Sequence, residues 1–102
     1  MKNFYDIFCN AIDTKTIVLI RFNSIEKGEI VRQCIPFDFA PARGDIQKPY
    51  KYQTYDLDSG HNLAIAEEQI IDIQPTTQHF NPEQIVTWHT NWFYKRNWGS
   101  KS

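Results

Sequence analysis

Phe4, Ile7, Phe8, Ala11 and Ile12 recur at spacings of three and four, the period of an amphipathic helix, and predict one over about residues 2–13. The period then changes. Lys15 to Asn23 reads KTIVLIRFN, dense in β-branched and aromatic residues, which predicts a strand with Val18, Ile20 and Phe22 on one face and Arg21 on the other. A glycine-containing turn, SIEKGE, leads to a second apolar run from Ile30 to Phe39. Regular alternation there puts Val31, Ile35, Phe37 and Phe39 on one face and Arg32 on the other. Pro36 lacks a ladder N–H, so it implies an edge or a bulge within that strand.

Residues 40–49 hold two prolines and a glycine and read as a long loop. Tyr50 to Leu57 and His61 to Ala66 form a predicted hairpin around the turn residues 58–60, and Gln69 to Gln74 is a fifth strand that Pro75 ends. Asn81, Pro82 and Glu83 then supply helix-start chemistry: a capping side chain, a proline at the first helical position and an acid at the positive end of the dipole. Ile85, Trp88, His89 and Trp92 would share one face of a helix over about residues 82–95, with Gly99 beyond it. The expected fold is mostly β with flanking helices: a small five-stranded SH3-like or Sm-like barrel over about residues 16–75, with an N-terminal and a C-terminal helix.

At 102 residues the chain has room for one domain, and 41% hydrophobic with 23% charged residues is the composition of a folded protein. The opening residues lack the uninterrupted apolar run of a signal peptide, and no stretch reaches the 18 apolar residues a membrane span requires, so a cytoplasmic domain with no membrane contact is expected. Cys9 and Cys34 have neither disulfide-framework spacing nor basic neighbours and read as buried, reduced thiols. Charge is asymmetric: all 12 acidic residues lie at or before Glu83, while Lys95, Arg96 and Lys101 follow it. That asymmetry hints at an anionic partner near the C-terminal end.

Several segments together resemble the WYL domain, a small Sm-like or SH3-like barrel of bacterial transcription regulators. They are the VLIRF strand, Arg32 followed by Pro36 in RQCIPFDF, the aromatic strand leading into YDLDSG, EEQIIDI, and Phe80, covering roughly residues 16–80. Where the family has its Trp-Tyr-Leu tripeptide this chain has Tyr50, Lys51 and Tyr52, and Glu67, Glu68 and Gln69 stand where the family has cations. The resemblance implies a regulatory binding module for a nucleotide-like ligand or single-stranded nucleic acid. Of the family's binding positions it carries over Arg32 and one of Tyr50 and Tyr52.

The residues themselves name no reaction. There is no glycine-rich phosphate loop or nucleophile elbow, and Ser59 beside His61 belongs to a tight turn, so neither a catalytic residue nor a cofactor is expected. DLDSG opens like a calcium loop but has Gly60 and His61 where such a loop needs a ligand and a glycine; the histidines and cysteines lack zinc spacing. No metal site is expected. Trp88 and Trp92, four apart, read as the core face of a closing helix. Trp98, Lys95 and Arg96 lie beyond that face and read either as a packed tail or as a stacking and phosphate-contacting surface. Arg32 reads either as a solvated residue or as part of a ligand groove with Arg21. The candidate ligand-binding residues are therefore Arg21, Arg32, Tyr50, Tyr52, Lys95, Arg96 and Trp98. The alternative is a protein-interaction domain acting through an exposed strand edge or the aromatic C-terminal segment, and a strand edge also makes a homodimer an expectation.

Overall fold

The computed structural model describes residues 3–102. Helix α1 spans Phe4–Thr14; the Asn3 side chain caps it by accepting from the Asp6 N–H at 3.1 Å. It ends where Lys15 turns left-handed at φ 56°, and the Lys15 carbonyl then accepts from the Phe80 N–H at 2.9 Å. Phe8, Cys9, Ala11 and Ile12 form its buried face, as the spacing predicts.

Five strands follow: β1 (Thr16–Ser24), β2 (Gly28–Pro41), β3 (Tyr50–Asp56), β4 (His61–Ile65) and β5 (Ile70–His79). They form one antiparallel sheet in the order β4-β3-β2-β1-β5. The sheet is open: β4 and β5 are its two edges, so the five strands are present but the expected closed barrel is not. The sheet's inner face carries Val18, Ile20, Phe22, Cys34, Tyr52, Ile65 and Ile73, all buried. Helix α1 packs on it, with the Phe8 and Tyr52 rings edge to face at 4.8 Å.

β2 departs from regular alternation. Its register against β3 shifts between Pro36 and Asp38, so Phe37 is the extra residue of a bulge beside the proline. Before the bulge Ile35 faces outward with Tyr55; after it Phe39 faces inward with Tyr52, and Asp38 and Ala40 face outward. The expected common face of Val31, Ile35, Phe37 and Phe39 is thus broken, and Val31 lies 50% exposed on the outer face. β5 also continues past Pro75 to His79, as a proline on an edge strand forfeits no ladder bond on its free side.

Helix α2 is a single turn, Pro82–Ile85, with the Asn81 side chain accepting from the Glu83 N–H as its sequence predicts. It does not run on to residue 95. The nine residues from Val86 to Tyr94 are β-branched, aromatic, Asn or His, each costing roughly 0.5 kcal/mol against alanine in a helix, or about 4 kcal/mol together. They instead cross the outer face as an irregular strap, which ends in a short 3-10 turn at Gly99–Lys101.

Candidate binding groove

The strap is fixed by a carboxylate that the sequence reading did not single out. Asp38, turned outward by the bulge and almost completely buried, accepts from the Phe93 N–H at 3.0 Å and the Tyr94 N–H at 2.8 Å, and pairs with Arg96 at 3.4 Å. The Arg96 side chain is closed off from solvent. Its guanidinium lies 4.1 Å from the Trp92 ring and 4.4 Å from the Trp98 ring, and donates to the carbonyls of Tyr94 and Phe37. Burial lowers its pKa to about 10, with Asp38 opposing that shift, so it remains a cation at neutral pH. The Trp92 and Trp98 indoles donate to the carbonyls of Lys101 and Ile12, each at 2.8 Å.

This arrangement corrects the reading of the aromatics in both directions. Trp98 is 4% exposed and Trp92 7%, so Trp98 and Arg96 are a packed tail and not a contact surface. Trp88, read as core, is 47% exposed, because the helical face that would have buried it does not form. Lys95 is exposed, with its ammonium donating to the Trp92 carbonyl at 3.0 Å.

The other candidates are dispersed. Tyr52 is 1% exposed and belongs to the core; burial pushes its pKa up. Arg21 and Arg32 lie on opposite faces of the sheet, since Arg21 pairs in register with Val31 and Arg32 with Ile20, so they form no common groove. Arg21 is paired with Glu29 at 2.6 Å on the outer face. Arg32 reaches the buried Asp56 at 3.3 Å on the inner face, and Asp56 in turn accepts from the Asp58 and Ser59 N–H groups, so Arg32 braces the β3–β4 turn. Tyr50 alone stands at the rim of an open surface, its ring edge-on to Phe93 at 5.8 Å.

That surface is a groove of about 590 Å³ between the strap and the outer face of β2, β3 and β4. Phe37, Trp88 and Phe93 supply its aromatic walls, and Arg43 and Lys51 its cations. Phe37 meets Trp88 edge to face at 6.1 Å and Trp92 at 6.0 Å, so the exposed indole stands on a fixed aromatic base. Among the described residues neither Arg43 nor Lys51 is in an ion pair, and Asp38, the one carboxylate lining the groove, is committed to the strap. The free charge of the groove is therefore positive.

The open sheet and its helix have a counterpart among solved structures. Proteasome accessory factor B/C (PafBC) of Arthrobacter aurescens matches 84% of this chain with a TM-score of 0.66 and 9% sequence identity. The chain spans only 13% of that protein's length. At this identity the likeness bears on fold alone, and it supports a WYL-like fold. No protein-family model matches the sequence, and no curated protein matches it. No helix among the described residues is long and apolar enough to cross a membrane.

Arg43, Lys51 and Trp88 were within reach of the sequence only in part. Lys51 alternates with Tyr50 and Tyr52, which places it on the face opposite the buried Tyr52. The position of Trp88 depends on the strap, and the strap depends on Asp38, 50 positions earlier in the chain. No local pattern records that link.

Proposed function

We propose that the chain is a non-catalytic binding or regulatory module whose outer-face groove holds a small anionic, nucleotide-like ligand or a segment of single-stranded nucleic acid. The observation that carries this reading is the half-exposed Trp88 on its aromatic base, facing the unpaired cations Arg43 and Lys51. An aromatic face accepts any base, and two cations suit one or two phosphates, which gives stacking with little sequence preference. PafBC is named as an accessory factor, and a fold shared with part of it fits a binding or regulatory module.

Because Trp88 is the one exposed tryptophan of three, the acrylamide-accessible part of the intrinsic fluorescence comes from Trp88. Short single-stranded oligonucleotides should quench the exposed fraction and shield it from acrylamide. With two phosphate contacts, the logarithm of the affinity should fall by about 1.4 per tenfold rise in salt. Quenching that persists unchanged in Trp88→Ala would remove the groove from consideration.

A second reading, a protein partner, rests on the edge strand β4. It carries no Asp, Glu, Lys, Arg or Pro to discourage a further strand. Binding by strand addition would survive high salt and Lys51→Ala, and would generate either a homodimer or a complex with an extended peptide.

A further inference from the structure

We propose that a second, smaller cavity on the same face is a separate site for a small uncharged molecule with a planar apolar body and a carboxamide-like edge. It encloses about 300 Å³, the lower end of the range for small-molecule sites. Ile35, Phe37, Ile85 and Val86 supply apolar walls, and Trp88 divides it from the cationic groove.

Charge argues for a neutral occupant. The lining contains no Asp, Glu, Lys, Arg or His, so an ionic ligand would be desolvated there without compensation. The polar side chains present are uncharged: the Tyr55 phenol from β3 and two amides, Asn62 from β4 and Gln84 from α2, besides the Trp88 indole and the Trp98 indole already committed to the Ile12 carbonyl. Each amide has a carbonyl acceptor and an NH₂ donor, and neither amide side chain forms a hydrogen bond within the described residues. A carboxamide edge offers the matching donor and acceptor, while its apolar body would lie against the rings of Phe37 and Trp88. The site is distinct from the groove because the cations Arg43 and Lys51 line only the latter.

The test is a titration of the whole chain with three isosteric probes, benzamide, benzoate and benzylammonium, followed by NMR of backbone amides, side-chain amides and indole N–H groups. Benzamide is expected to shift the Asn62 and Gln84 side-chain amides and the Trp88 indole in a saturable way, with the two ions binding more weakly. Gln84→Ala should weaken benzamide roughly two- to tenfold, the loss of one hydrogen bond, and leave oligonucleotide binding unchanged. Asn62→Asp, at an exposed position that can change without unfolding the chain, should shift the preference to benzylammonium. Equal binding of benzoate, shifts that map to other residues, or no saturable shift up to the solubility of benzamide would each overturn the proposal. Lys51→Ala separates the two sites: it should weaken oligonucleotide binding and lower its salt dependence if the groove is used, and leave benzamide untouched.

Discussion

The strap from Val86 to Trp98 is one continuous run of aromatics and polar residues, yet its two halves meet opposite fates. Around Trp88 the indole stands in solvent against a groove. Around Arg96 two indoles and a guanidinium are sealed. Residue type does not decide between them, since both halves carry tryptophan and a basic residue. The supply of partners does. The second half finds Asp38 and the carbonyls of Phe37, Ile12 and Lys101, so the side-chain polar atoms it buries are satisfied, whereas nothing above Trp88 offers it a cover. A small domain has thus used the same kind of side chain once as a lid and once as an open surface.

Removing the carboxylate should break this contrast most severely. Asp38→Ala frees two backbone N–H groups and leaves Arg96 buried without its counter-charge, a loss of about 3–5 kcal/mol by urea unfolding. Acrylamide should then reach Trp92 and Trp98 as it reaches Trp88. A loss under about 1 kcal/mol would mean that the indoles alone hold the strap.

Alkaline pH tests the core on the sheet's inner face, across the sheet from the strap. Burial pushes the Cys34 thiol up to about 12 from an ordinary value near 9, and the hydroxyl of Tyr94, donated to Asp13, is raised as well. Above about pH 9 the unfolded chain releases the thiol proton that the folded chain keeps, so stability present below that pH is lost as pH rises toward 12. One such thiol contributes roughly 2 kcal/mol of that decline between pH 9 and 10.5. Cys34→Ala should flatten the decline, which urea midpoints across that range would show.

Smaller effects sharpen the comparison. Arg96→Lys keeps the charge but replaces the planar fork between two indoles with a point charge, and should cost about 1–2 kcal/mol by the same measurement. Trp88→Ala should cost about 1 kcal/mol or less, since the ring is half solvated, while removing the fluorescence response to oligonucleotides. A large loss of stability there would make Trp88 a structural residue after all.

The sequence displayed α1, the five strands and the start of α2, because each rests on a local period or a capping residue. It also displayed the two cysteines as free and buried. Three features were hidden for physical reasons. The bulge at Phe37 reverses which residues of β2 face outward, and Pro36 signals that such a break exists without giving its direction. Trp88 and Trp92 have helical spacing, but spacing cannot outweigh nine residues of weak helix propensity. Arg21 and Arg32 attract notice as strand cations, yet both are occupied by carboxylates. The cations that line the groove, Arg43 and Lys51, sit in a loop and beside a bulky tyrosine, where nothing distinguished them.

The Trp98 indole donates to a carbonyl of the first helix across 86 positions, and Asp38 clasps the strap across 55 and 56. Such contacts close long loops, and loop closure is settled before the contact gives anything back. As the chain emerges during synthesis, helix and sheet can assemble while Ile35 and Phe37 still lack their cover. Until residue 98 has been added, the nascent domain therefore presents an uncovered apolar face to its surroundings, and its vulnerable period is set by the pace of translation.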